Sequence, residues 1–146
     1  LFENQIEVIP HDTFDDLKEL THLDLDSNHI KVIQDDLLKN LENLRVFAAA
    51  SNQITEIPEN FFKKNIRLWK IDLAYNKIDN VKFDFQKNYG NFHNLSFLSL
   101  QVNRDRCDIL YTRDEKFFKE EDDFIDTKHE IQVLQKEIME KCCKSC

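Results

Sequence analysis

The sequence predicts an α/β solenoid: short coils stacked on one shared apolar interior, a parallel β-sheet along one face, then a C-terminal cap and an α-helix. Three observations carry that prediction. Asparagines recur at Asn4, Asn28, Asn52, Asn76 and Asn103, in steps of 24, 24, 24 and 27 residues. The same apolar frame surrounds each of them. After Asn103 the frame stops, and from Asp114 onward the chain is rich in helix formers and free of Gly and Pro.

The frame is read position by position. Leu20, Leu23, Leu25, Asn28 and Ile30 form one copy; Leu44, Phe47, Ala49, Asn52 and Ile54 form the next. Leu68, Ile71, Leu73, Asn76 and Ile78 follow, then Leu95, Leu98, Leu100 and Asn103. Leu1, Asn4 and Ile6 are the tail of an earlier copy, so the chain is expected to be a piece of something longer. Apolar and polar residues alternate around each L-x-L, which suits a short strand with one buried face. A second apolar set recurs between frames: Ile9, Phe14 and Leu17; Ile33, Leu38 and Leu41; Ile57 and Phe62; Val81, Phe85 and Phe92. One copy cannot bury its own leucines, whereas stacked copies can, with strands about 4.8 Å apart. With one Gly and two Pro in the chain, asparagine is expected to do the turning, because it tolerates left-handed backbone angles. Its amide donates and accepts, so the expected role of this row is structural.

These residues closely resemble the leucine-rich repeat family over residues 1–106. The 24-residue length and the element Ile9, Pro10, Phe14 (again Ile57, Pro58, Phe62) are similar to its extracellular class. The resemblance implies a curved solenoid whose concave strand face binds another protein. The 27-residue copy adds three residues around "FDFQKNYGNF", an expected bulge on the convex side. The last copy has Asp105 where Ile is expected, so the regular solenoid is expected to end there.

The frame also assigns the open face of the sheet, in columns. His22, Val46, Lys70 and Phe97 form one column, and Asp24, Ala48, Asp72 and Ser99 the next. Phe2, Asp26, Ala50, Ala74 and Gln101 form a third, with Glu3, Ser27, Ser51, Tyr75 and Val102 along the edge. Ala48 to Ala50 raise a question, since one copy is reduced to methyl groups. Ala49 takes an inward position held elsewhere by leucine, and Phe47 is expected to fill that volume. Ala48 and Ala50 point onto the open face. Val46, Ala48, Ala50, Ala74, Tyr75 and Phe97 then make a low apolar patch flanked by Asp24, Asp26 and Asp72, which is either a contact site or a set of tolerated surface methyls. Trp69, just before its strand, fits packing or contact equally.

Residues 107–146 are expected to form a cap and a helical segment. Cys107, Ile109, Leu110 and Tyr111 are the expected lid over the open end of the core. Phe117, Phe124, Ile131 and Ile138 recur every seven residues, but of the complementary positions only Leu134 is apolar. A helix lying on the solenoid and the start of an oligomeric coiled coil both fit. The cysteines Cys107, Cys142, Cys143 and Cys146 are disulfide candidates, with three internal connectivities open and a disulfide-linked dimer among the outcomes. A solenoid followed by a weak cysteine cap, a heptad segment and a Cys-Cys pair resembles insect leucine-rich immune proteins of the mosquito type. That resemblance implies secretion, dimerisation through the C-terminal cysteines and binding of complement-like factors.

Composition narrows the function. Net charge is −8 and no basic cluster is present, which argues against nucleic acid as a partner. No apolar run approaches the roughly 18 residues of a membrane span. The five histidines are scattered without metal-ligand spacing, and the acidic run "FKEEDDFID" is expected to be a solvated face. No catalytic constellation, metal site or cofactor is expected. Asn94-Leu95-Ser96 is a glycosylation signal, usable only on secretion. The expected function is therefore a secreted protein-binding module, in innate-immune recognition or scaffolding. The alternatives are a receptor or adhesion ectodomain fragment and an intracellular leucine-rich scaffold.

Overall fold

The computed structural model describes residues 1–88, 94–103, 109–112 and 123–142. Four strands, one per copy of the frame, run parallel in one sheet: β1 (His22–Asp24), β2 (Val46–Ala48), β4 (Lys70–Asp72) and β6 (Phe97–Ser99). Their register follows the frame, with Leu23, Phe47, Ile71 and Leu98 level with one another and buried. β7 (Leu110–Thr112) pairs antiparallel to β6 and ends the parallel run. On the convex side β3 (Glu56–Ile57) and β5 (Asn80–Val81) form a short parallel pair. The core cluster runs unbroken from Ile9 to Ile109 and on into the C-terminal helix α1 (Asp123–Cys142).

Asparagine amides tie the coils together. The Ile30 N–H donates to Asn52 Oδ1 at 3.0 Å, while Asn52 Nδ2 donates to Leu25 O (2.9 Å) in the coil before and to Ala49 O (3.2 Å) in its own. Asn28, Asn76 and Asn103 repeat the arrangement, accepting from Ile6, Ile54 and Ile78. Asn4 has only its own coil, bonding Leu1 O and Phe2 O from an exposed position. The left-handed backbone, however, belongs to the residue before each asparagine. Glu3, Ser27, Ser51, Tyr75 and Val102 all have φ between 51° and 56°. The asparagines are held by their side-chain bonds with ordinary angles, so the expectation that they take the left-handed turn is corrected. For Val102, a β-branched residue, that angle is a backbone outlier.

Phenylalanine rings fill the middle of the core. Phe62 meets Phe47 (5.7 Å between centroids), Phe61 (4.8 Å), Phe83 (5.6 Å) and Phe85 (6.4 Å), mostly edge to face. Such contacts add to area burial because ring edges and faces carry opposite partial charge. Ala49 is fully buried in this same core, beside a strand whose inward Phe47 supplies the bulk. Phe83 and Phe85 lie within the stretch read as a convex bulge, yet both side chains point inward and are fully buried. The remainder of that stretch, residues 89–92, lies outside the described residues, as does Asp105.

Two other expectations need correcting, and one of the two open readings of the C-terminal helix is favoured. Leu17 is 48% exposed and takes no part in the core that its counterpart Leu41 joins. Leu110, expected in the lid, is likewise 48% exposed. Successive side chains of a strand alternate faces, so Ile109 and Tyr111 turn toward the core and Leu110 turns to the open face. Finally, the Ile131, Leu134 and Ile138 stripe that a coiled coil would use is buried in this chain's own core. Gln135, one turn from Ile131 on that buried side, accepts a hydrogen bond from Phe85 N–H at 2.7 Å. The helix is docked on the solenoid by this face.

Candidate functional site

The open face of the sheet is built by the outward residues of the same strands. His22, Val46, Lys70 and Phe97 stand level in one column, and Asp24, Ala48, Asp72 and Ser99 in the next. His22 and Asp24 are exposed, and Val46, Lys70, Asp72, Phe97, Asp26 and Ala50 are half-buried. Ala48, Ala74 and Ser99 are only 9%, 8% and 2% exposed, so taller neighbours screen the floor of the patch. Lys70 Nζ lies 5.3 Å from the centroid of the Phe97 ring, a cation–π contact that covers part of the aromatic surface. Tyr75 stands out at the edge, 61% exposed.

The alanine copy is explained by hydrogen bonding at the strand ends. Asp24 Oδ1 accepts from Asp26 N–H (2.9 Å), Asp72 Oδ1 from Ala74 N–H (3.2 Å) and Ser99 Oγ from Gln101 N–H (3.4 Å). Each polar residue caps the N–H two residues further on. Ala48 has no oxygen to do this. Its copy is capped from the neighbour instead: Ala50 N–H donates to Asp26 Oδ1 at 2.6 Å. Asp26 leans across one strand spacing, over small residues that leave it room.

Burial at that position pushes the Asp26 carboxyl above its ordinary value, and the Asp24 and Asp72 charges push the same way; the Ala50 N–H bond and Lys70 oppose them. The sign for stability follows. A carboxyl that holds its proton more tightly folded than unfolded contributes less stability as pH rises from the usual carboxylate range through the raised value, and nothing changes beyond it. Asp26→Asn keeps an acceptor for Ala50 N–H and removes the charge. Its stability relative to the parent is expected to improve between about pH 3 and neutrality, by urea midpoints at both ends. Asp26→Ala, which orphans the N–H, is expected to cost about 1–2 kcal/mol, and Ala48→Ser to restore much of it by supplying a local cap.

The face extends one strand further than the repeat frame. Leu110 and Thr112 on β7 sit beside Ser99 and Phe97 and are exposed. The frame could not reveal them, because β7 is antiparallel and falls outside the period, and Ile109, Leu110 and Tyr111 are three apolar residues in a row with no alternation to tell the faces apart. Trp69 is 38% exposed at the side of the sheet, and its carbonyl accepts from Ser96 and Phe97. Asn94 is exposed at the start of the last coil. Cys142 is fully buried and disulfide-bonded. Cys107, Cys143 and Cys146 lie outside the described residues. Among the described residues no group of three or more His, Cys, Asp or Glu is placed to hold a metal, and no helix is long and apolar enough to cross a membrane.

Comparison with known proteins agrees with this geometry. Residues 1–54 match the family model described as leucine rich repeat. None of the curated proteins matches the chain. Among solved structures, it is similar to the crystal structure of a TLR13–ssRNA13 complex, with 23% identity, a TM-score of 0.62, and coverage of 70% of this chain and 14% of that one. It is also similar to the leucine-rich repeat protein LIC12759 of Leptospira interrogans, at 25% identity and a TM-score of 0.60, over 71% of this chain and 25% of that one. The chain thus spans a quarter or less of these neighbours' length. Coil period, strand register and these likenesses together make the fold a leucine-rich repeat solenoid with a C-terminal helix.

Proposed function

We propose that the chain is a secreted protein-binding module that presents the open face of its sheet to a partner in innate-immune recognition or scaffolding. The observation carrying this reading is that face itself. No helix among the described elements covers it, and it combines a low, half-buried floor of Val46 and Ala50 with Phe97 and Tyr75 at its margins. A low floor lets a partner approach closely, and an aromatic margin offers an anchor. Asp24, Asp26 and Asp72 on this face oppose phosphate, so the RNA bound by the TLR13 neighbour is not adopted as the ligand here. The resemblance to insect leucine-rich immune proteins and the disulfide at Cys142, a bond suited to oxidising compartments, support the extracellular placing. A receptor ectodomain would present the same face.

The test compares the parent with Ala50→Arg, both immobilised and exposed to extracellular fluid from the source. Circular dichroism and the thermal midpoint are expected to be unchanged. Proteins retained by the parent are expected to be lost from the variant, because a long cation rises from the middle of the floor. The same proteins retained equally by a folded variant would remove the open-face reading. Thiol titration without reductant separates the secreted reading from an intracellular scaffold, for which four free thiols are expected. Non-reducing electrophoresis reports a covalent dimer in the same sample.

A further inference from the structure

We propose that Asn94 is an N-glycosylation site, and that its glycan stands at the strand-start edge of the last coil, away from the turn edge marked by Tyr75. The placement comes from geometry, while its use in the native protein rests on the extracellular reading above. Asn94-Leu95-Ser96 is the only Asn-x-Ser/Thr triplet in the chain. Asn28, Asn52, Asn76 and Asn103 are engaged in backbone bonds between coils, and a sugar there would break them. Asn94 differs on each count. It is exposed, its side-chain amide bonds no described residue, and only its carbonyl accepts a bond, from Ser96 Oγ at 3.2 Å.

The neighbours explain why the residue faces water. Leu95 and Ser96 are both buried, so the chain enters the core directly after Asn94. One and two coils earlier the same position holds Arg67 and Asn43, which pair sideways along the surface at 2.7 Å. Among the described residues Asn94 makes no such sideways bond, and a substituent on its amide displaces none of them. The reaction joins Asn94 Nδ2 to the anomeric carbon of an oligosaccharide carried on a lipid pyrophosphate. The pyrophosphate leaves and the amide loses one proton, without oxidation or reduction. Val102 lies eight positions after Asn94, at most roughly 25 Å along the chain, with β6 (Phe97–Ser99) between them. The glycan therefore screens one margin of the sheet and leaves the Tyr75 margin open to a partner.

The experiment expresses the full chain behind a heterologous signal peptide in a eukaryotic secretory host. An amidase that removes N-glycans is expected to increase gel mobility and to leave aspartate at position 94, seen by peptide mass. Asn94→Gln and Ser96→Ala, which remove the acceptor and the hydroxyl separately, are each expected to abolish the shift while the protein is still secreted. A secreted, folded parent with identical mobility before and after the amidase would overturn the proposal. Glycan on the recombinant chain, but free thiols and no glycan on protein from its source, would sink the extracellular reading and leave the site's competence standing.

Discussion

Asn52→Ala is expected to lower the unfolding free energy by about 3 kcal/mol, whereas Asn4→Ala should lower it by less than about 0.5 kcal/mol. Both residues occupy the same position of the repeat, so composition gives no reason for the difference. The reason is spatial. Asn52 is buried and joins two coils, and its loss leaves the buried Ile30 N–H without an acceptor. A buried unpaired donor costs about 1–3 kcal/mol, and the lost carbonyl contacts to Leu25, Ala49 and Ala50 add to it. Asn4 bonds only its own coil from an exposed position, where water replaces the amide. In a stack held by neighbour interfaces, a broken interior interface is felt more than a frayed end. Urea unfolding followed by far-ultraviolet circular dichroism measures both. Equal losses would mean that the amides act within coils and not between them.

The two asparagines also mark how far the sequence could be read. A period of 24 superimposes positions, so inward residues were legible: Leu23, Phe47, Ile71 and Leu98 are level and buried as the frame requires. Column membership on the open face was legible for the same reason. What was not legible depends on neighbours in space. Ala48 and Ala74 belong to outward columns but lie screened, because exposure of a methyl group is set by the height of the side chains around it. Asp26 reads as one more surface aspartate until its bond to Ala50 N–H, 24 residues away, is seen. Turning by Ser27, Ser51, Tyr75 and Val102 left no signal, since composition pointed to Asn and Gly for left-handed angles. The heptad stripe of Ile131, Leu134 and Ile138 carries no mark of whether its partner is another chain or its own solenoid. The structure chooses the solenoid, with Gln135 and Phe85 fixing the register.

Phe62→Ala is expected to cost about 4 kcal/mol, near the upper end for a buried aromatic, and Phe62→Leu about 1–2 kcal/mol. Phe62 touches Phe47, Phe61, Phe83 and Phe85, so alanine removes four ring contacts and opens a cavity among side chains that are themselves fully buried. Leu17→Ala provides the contrast. It too belongs to the second apolar set, but its exposure limits the loss to under about 1 kcal/mol. The effect should also travel in a definite direction. Phe85 is in ring contact with Phe62, and its N–H donates to Gln135 on α1, so a cavity at position 62 loosens the strip against which the helix docks. Hydrogen exchange at the amides of 131–138 is expected to accelerate in Phe62→Ala more than at β1, whose coil adjoins that of Phe62 but supplies none of the four rings that touch it. If both regions accelerate equally, the core opens as one unit and the phenylalanines are not a local bridge. If only the helix accelerates, the rings are what couple the C-terminal segment to the stack, and the sheet face can stay in place while its cap comes loose.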